Sequence, residues 1–154
     1  LVSPGNPLKL EQPAALKRRI EVARKVMDHP RVRITDLESR MGTRFTAETL
    51  RGLLHLYPGV RFVWLMGADN LAQFHLWEQW RWIAATVPMG IIARPGDRIS
   101  ARTSKTADLF RHARLDSHAA RLLPGHPAPA WCFVNVPMVN LSSTAIRSRG
   151  GWQR

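Results

Sequence analysis

The chain has 154 residues, of which 45% are apolar, so it is long enough for one compact domain and is not disordered in composition. It contains no run of about 18 apolar residues and no basic and apolar stretches typical of a signal peptide, so we expect no membrane span and a cytoplasmic location. The single cysteine, Cys132, excludes an internal disulfide. Because its neighbours are apolar, we expect a buried, inert thiol.

The formal net charge is +12, and most of the positive residues are arginines. Such a charge attracts nucleic acid or phosphorylated small molecules, but it is also found on a solvated, arginine-rich surface. No five like charges follow one another, and the arginines are spread along the chain. We therefore favour the solvated surface and expect neither a nucleic acid nor a membrane as partner. The oligomeric state stays open, a homo-oligomer included.

The first third of the chain predicts two helices with a strand between them. Apolar residues at helical spacing from Leu16 to Met27 predict a helix that ends at His29-Pro30. Alternation over residues 32–37 predicts a strand. A second helical stripe, with Thr46 as its N-cap, is predicted to end at Pro58-Gly59.

The remaining two thirds predict buried strands separated by helices. Three apolar runs predict strands, at residues 61–66, 89–93 and 131–136, and the first of them has no alternation, as expected of a central strand covered on both faces. Helical patterns follow at 71–84, where Phe74, Trp77, Trp80 and Ala84 share a side, and more weakly at 100–123. This alternation predicts an α/β protein with a parallel sheet and helices on both faces.

Ligands of such sheets bind beyond the carboxyl ends of the strands. That rule selects the loops at residues 3–9, 67–70, 94–97 and 140–147. The last of these contains Ser143 and Thr144 at a predicted helix start, with Arg147 one turn later. Hydroxyls, helix N–H groups and a guanidinium in this pattern are suited to bind phosphate, although taken alone an ordinary N-cap with an exposed arginine explains them better.

The loop at residues 67–70 contains the first residues of a second candidate site. Gly67 would let a ligand approach the backbone, Asp69 could accept hydrogen bonds, and Trp77 could stack on a flat ring. Taken singly, each of these residues also has an ordinary structural explanation. Gly67 could be a turn glycine, Asp69 a helix cap and Trp77 a core residue.

Together, the two stretches closely resemble the bacterial nicotinate mononucleotide adenylyltransferases. The resemblance rests on Gly-Ala-Asp-Asn-Leu-Ala-Gln-Phe-His-x-Trp at 67–77 and Ser-Ser-Thr-x-Ile-Arg at 142–147, and residues 3–9, 43–50 and 93–96 agree in the same order. It implies a single nucleotidyltransferase domain over residues 1–154, with a doubly wound, Rossmann-like parallel sheet.

The resemblance also implies a reaction and its site residues. AMP would pass from ATP, with Mg²⁺, to the phosphate of nicotinate mononucleotide, giving deamido-NAD and pyrophosphate in NAD synthesis. Trp77 matches the residue that stacks on the nicotinate ring. The other matches to the nicotinate mononucleotide site are Thr46, Gly67, Asp69, Arg94, Asn6 and Lys9, and those to the ATP phosphates are Ser143, Thr144 and Arg147.

The family's catalytic His-x-Gly-His motif does not occur among the six histidines of this sequence, so we assign no catalytic residue within it. The resemblance implies that this motif and the first, central strand of the sheet precede Leu1. We therefore expect the 154-residue chain alone to be inactive and prone to aggregation. His75 is expected to have a structural or substrate-side role.

Two alternatives remain open. One is a related nucleotidyltransferase with another acceptor, such as phosphopantetheine, although Trp77 and the Gly67 turn argue against it. The other is an inactive, truncated remnant that binds nucleotides or, through its basic charge, nucleic acid.

Overall fold

A computed structural model of the chain describes residues 1–5, 13–93, 98–134 and 136. By their contacts these residues form two compact units, with Leu1–Leu53 in the first and Leu54–Asn140 in the second. Within this described part of the chain, no helix combines the length and apolarity that crossing a membrane requires.

The described residues of the first unit form helices α1 (Leu16–Val26), α2 (Leu37–Arg40) and α3 (Thr46–Leu56), of which α3 continues into the second unit. Helix α1 is present as its periodicity predicts, and none of its residues is buried. Helix α3 ends two residues before Pro58, also as predicted, because a residue that precedes proline disfavours the helical conformation.

The strand predicted at residues 32–37 is wrong. Residues 32–36 have no regular secondary structure, and Leu37 begins α2. One backbone hydrogen bond, donated by Val2 N–H to Thr35 O at 2.9 Å, joins this segment to the described residues of another segment. A single bond does not form a ladder, and the Thr35 hydroxyl instead accepts a hydrogen bond from Leu37 N–H at the start of α2.

A small polar cluster joins α2 to α3. Glu38 is only 6% exposed, and the Thr49 hydroxyl donates to its Oε1 at 3.2 Å. The Thr43 hydroxyl lies 2.8 Å from that of Thr49, and Thr43 N–H donates to Glu38 O at 3.2 Å. These contacts give the buried carboxylate a partner, which a buried polar group requires.

The second unit contains the sheet. Strands β1 (Trp64–Gly67), β2 (Met89–Ile92) and β3 (Trp131–Val134) are parallel and lie in the order β1-β2-β3. The register pairs Met89 with Trp64 on one side and with Trp131 on the other, so β2 is the middle strand. The connections contain helices α4 (Ala68–Gln73), α5 (Trp80–Thr86), α6 (Arg98–Arg102) and α7 (Lys105–Leu109), with 3₁₀ segments at Phe74–Leu76, Arg111–Ala113 and Ser117–Gly125.

Chain segments from the connections cover both faces of the sheet. On one face, a Cβ added to Gly90 would lie 2.5 Å from Leu65 and 3.8 Å from Leu123 of the last 3₁₀ segment. On the other face, the ring of Trp64 contacts that of Trp77, which follows the first 3₁₀ segment. Parallel strands alternating with helices confirm the predicted α/β class, and the arrangement agrees with a Rossmann-like nucleotidyltransferase.

The position predicted for β1 within the sheet differs from the one observed. The lack of alternation at residues 61–66 predicts a central strand, whereas β1 lies at the edge of the described sheet and Leu65 is 59% exposed. Met66 is buried, so the two faces of this strand are covered unequally. Composition does not distinguish a central strand from an apolar edge strand with one half-covered face.

Candidate functional site

Gly67 is the last residue of β1, so it lies at the carboxyl end of a parallel strand, as predicted. Its dihedral angles, φ −69° and ψ 155°, are accessible to any residue, so conformational freedom does not explain the glycine. A Cβ at this position would overlap Asp69 Oδ1, so the Asp69 carboxylate occupies the space beside Gly67. Gly67 is therefore matched to a carboxylate that folds back over the end of the strand.

Asp69 lies in the first turn of α4, with an exposed side chain. A carboxylate is stabilised there by the positive end of the helix dipole. Because its Oδ1 lies close to Gly67, the carboxylate is directed toward the strand end where ligands of α/β sheets bind. Gly67 and Asp69 thus lie side by side at the end of β1, which the sequence suggested only by their spacing.

Trp77 is partly exposed and is held by two other rings. Its ring centroid lies 5.2 Å from that of Phe74 and 6.5 Å from that of Trp64, both edge-to-face. Phe74 is fully buried. The continuous helix predicted through Phe74, Trp77 and Trp80 is wrong, because the chain leaves the helical conformation at Trp77 and the next helix begins at Trp80. This break gives Trp77 a fixed ring at the edge of the aromatic cluster instead of a place in the core.

Two polar atoms near Trp77 were not foreseen from the sequence. Trp64 Nε1 and His75 Nδ1 are buried, and neither has a hydrogen-bond partner among the residues that the structure describes. Trp64 begins a strand whose other residues are leucine, methionine and glycine, and the polar N–H group of the tryptophan was the available signal.

Thr46, in the first unit, is the first residue of α3 and not its N-cap. Phe45 O accepts a hydrogen bond from Thr49 N–H, and the Glu48 carboxylate accepts hydrogen bonds from the N–H groups of Arg44 at 2.9 Å and Phe45 at 3.1 Å. A glutamate three residues after the N-cap is one half of a capping box. The prediction of Thr46 as N-cap is therefore wrong by one residue.

Those backbone hydrogen bonds, from Arg44 and then from Phe45, lower the pKa of Glu48 below its ordinary value. The charged carboxylate therefore stabilises the fold at neutral pH, and this contribution is lost as the pH falls through the lowered pKa. We expect Glu48→Gln to lower the melting temperature at pH 7 and to have no effect in acid below that pKa. Melting curves from pH 7 to pH 2 measure the difference, with the exposed Glu21→Gln as control. An equal difference at every pH would contradict the cap.

The other predicted site residues lie outside the described part of the chain, and their placement stays a prediction. They are Asn6 and Lys9 from the first loop, Arg94, and the phosphate-site residues Ser143, Thr144 and Arg147. The described residues therefore place Gly67 and Asp69 at the carboxyl end of β1, Trp77 in contact with Trp64 at the first residue of that strand, and Thr46 at the start of α3.

A cavity of about 260 Å³ lies elsewhere in the second unit, lined by Arg114, Leu115, Asp116, Ser117 and Phe133. The guanidinium of Arg114 lies over the rings of Trp131 and Phe133, 5.5 Å from each centroid. The sequence contained no motif in this region. Neither Gly67 nor Trp77 lines the cavity, so it is separate from the predicted ring site.

Cys132 is fully buried, as expected. Burial, and secondarily the carboxylate of Asp116, raises the pKa of its thiol, which disfavours the reactive thiolate. We expect the native protein not to react with a thiol-specific disulfide reagent at pH 8, and the protein unfolded in guanidinium chloride to react completely. Rapid modification of the native protein would contradict the inert role.

Among the described residues, no group of three or more histidine, cysteine, aspartate or glutamate side chains is placed to hold a metal ion.

Comparisons with known proteins show to which family the chain belongs. Residues 1–149 match the family model described as cytidylyltransferase-like. A probable nicotinate-nucleotide adenylyltransferase of Roseobacter denitrificans is 64% identical over 152 residues, which make up 99% of this chain and 76% of that protein. Proteins of the same description are 61% identical in Ruegeria pomeroyi and 47% identical in Parvibaculum lavamentivorans, covering 71% and 76% of their lengths, with 99% of this chain aligned in each case. The chain therefore belongs to the nicotinate-nucleotide adenylyltransferase family of nucleotidyltransferases.

Proposed function

We propose that this protein transfers AMP from ATP to the phosphate of nicotinate mononucleotide, giving deamido-NAD and pyrophosphate as a step of NAD synthesis. The observation that carries the proposal is the pairing of Gly67 with Asp69 at the end of β1, with Trp77 held against the same strand by Trp64. The names of the relatives support the same acceptor.

In this reaction a phosphate oxygen of the acceptor attacks the α-phosphorus of ATP. The bond to the bridging oxygen breaks, and pyrophosphate leaves with that bonding pair. Both reactants are anions, so catalysis depends on alignment and on neutralisation of charge more than on a protein nucleophile. In the proposal, Ser143, Thr144 and Arg147 bind the ATP phosphates, and Mg²⁺ enters as the complex with ATP.

The acceptor nucleotide is proposed to stack its pyridine ring on Trp77. The edge-to-face contacts from Phe74 and Trp64 fix the orientation of that ring before a ligand arrives, which lowers the entropic cost of stacking. Gly67, Asp69 and Thr46 would wall the pyridine ring, while Arg94, Asn6 and Lys9 would bind the acceptor nucleotide. A cytoplasmic location and a single nucleotidyltransferase domain are part of the same proposal.

The test compares acceptors directly. The complete gene product, with MgATP, is supplied with nicotinate mononucleotide, nicotinamide mononucleotide or phosphopantetheine, and the products are separated and quantified. We expect deamido-NAD from the first at the highest kcat/KM. Preferential adenylylation of phosphopantetheine would contradict the proposal. So would salt-sensitive binding of nucleic acid without binding of either substrate.

A further inference from the structure

A short extended segment, residues 114–117, runs beside β3 in the second unit. Leu115 N–H donates to Trp131 O at 2.8 Å, and Arg114 forms a parallel bridge with Trp131, the first residue of β3. The dihedral angles of Arg114 (φ −79°, ψ 124°) and Asp116 (φ −64°, ψ 149°) are both extended. Because the bridge joins the first residues of two parallel stretches, the later residues of the segment lie beside the carboxyl end of β3, where ligands of α/β sheets bind.

The side chains of this segment alternate between two faces, as they do in a strand. Leu115 packs on one face, against the buried cluster that contains Cys132. Arg114 lies on the other face, with its guanidinium over two aromatic rings of β3. Asp116 is two residues further along, so it projects to the same side as Arg114, about 6–7 Å away along the backbone.

Arg114 and Asp116 carry opposite charges, yet no ion pair joins them within the described part of the chain. Each is held by a different contact. The guanidinium lies 5.5 Å from the ring centroids of Trp131 and Phe133, a cation–π arrangement. One carboxylate oxygen of Asp116 accepts a hydrogen bond from His118 N–H at 2.8 Å and caps the last 3₁₀ segment. The two charges are therefore fixed separately, on one side of one segment.

Both charged side chains line the cavity of about 260 Å³ described above, together with Leu115, Ser117 and Phe133. Its volume is below the range usual for drug-sized ligands, so it suits a small molecule. Among the described residues, the Arg114 guanidinium donates no hydrogen bond, and the second carboxylate oxygen of Asp116 accepts none. A ligand in the cavity would thus meet donors at one end and an acceptor at the other.

We propose that this cavity binds a free α-amino acid, with the ligand's carboxylate on Arg114 and its ammonium group on Asp116. A guanidinium binds a carboxylate through two parallel hydrogen bonds, and charges that are already held in place lose little entropy when a ligand arrives. A phosphate ion would be repelled by the Asp116 carboxylate, so the pair selects a zwitterion over a simple anion. The site is separate from Trp77, and the inference does not rest on the proposed function.

The test begins with ligand-observed NMR of the complete gene product, in which each of the common free L-amino acids is supplied in turn at about 10 mM, a concentration that detects millimolar affinity. We expect at least one to bind. The N-acetyl derivative and the amide of the tightest binder each lack one of the two charges. Both should bind about tenfold or more weakly than the parent, as expected for the loss of a charged hydrogen bond.

Variants then assign the binding to this cavity. Arg114→Gln and Asp116→Asn should each weaken the tightest binder by about tenfold or more. Asparagine caps a helix as well as aspartate does, so Asp116→Asn removes the charge and keeps the cap. Arg121→Gln removes the same charge as Arg114→Gln at an exposed position that does not line the cavity, and it should leave the affinity unchanged.

Three results would overturn the inference. The first is that no amino acid binds, and the second is an affinity that neither Arg114→Gln nor Asp116→Asn changes. The third is binding of inorganic phosphate that requires Arg114 but not Asp116, which would make the cavity an anion site. Should Arg114→Gln lose its folded circular dichroism spectrum, Asp116→Asn and the two ligand derivatives decide by the same criteria.

Discussion

Replacing Trp77 with leucine is expected to weaken binding of nicotinate mononucleotide by about tenfold to a hundredfold. Stacking of a base on an aromatic side chain contributes about 1–3 kcal/mol, and about 1.4 kcal/mol corresponds to a factor of ten. The substituted side chain is partly exposed and lies at the edge of its cluster, so folding should be affected less than binding. Calorimetric titration and melting curves measure the two effects separately.

Trp80→Leu is the matched control. Trp80 also packs edge-to-face on Phe74, at 6.2 Å, and in addition contacts Phe110, so its loss removes at least as much aromatic packing. We expect this variant to melt at a lower temperature and yet to bind nicotinate mononucleotide almost as tightly as the wild type. Equal losses of affinity in the two variants would mean that Trp77 acts through the stability of the cluster and not as a stacking platform.

The second large effect is expected from Gly67→Ala. Alanine adopts φ −69° and ψ 155° without strain, so the cost of the new methyl group comes from its approach to the Asp69 carboxylate. That carboxylate must rotate away, and rotation of a short side chain costs the fold little. If Asp69 accepts a hydrogen bond from the ligand, nicotinate mononucleotide affinity should fall by about tenfold or more, because hydrogen bonds to charged groups contribute about 1.5–3 kcal/mol.

Gly59→Ala provides the comparison, since a Cβ at Gly59 would meet nothing within 4 Å. It should leave affinity unchanged. The same titration in an Asp69→Ala background tests the mechanism: there, Gly67→Ala should have no further effect, because the displaced group is already absent. An undiminished loss in that background would show that the methyl group itself blocks the ligand.

Strand β2 was predictable because burial on both faces of a strand leaves a continuous apolar run in the sequence. Met89–Ile92 is a short apolar run bounded by turn residues, and it is the middle strand of the described sheet. Residues 32–37 show the limit of that reasoning. Alternation alone predicts a strand there, but a strand exists only where another backbone completes its ladder, and the described residues supply one hydrogen bond.

The candidate site, too, could be predicted only in part from the sequence. The spacing of Gly67, Asp69 and Trp77 indicated a ligand-binding loop, and resemblance to a family turned that pattern into a specific acceptor. The sequence did not reveal that the Asp69 carboxylate occupies the space beside Gly67, since that position is set by the folded backbone. Nor could it reveal that Arg19 donates to three backbone carbonyl groups, because every residue possesses such a group.

A crystal structure of the complete gene product with nicotinate mononucleotide would show where the pyridine ring binds. We expect the ring to stack on the partly exposed side chain of Trp77, with the Asp69 carboxylate in contact with the ligand. A pyridine ring bound without contact to Trp77, for example in the cavity lined by Arg114 and Phe133, would contradict this expectation.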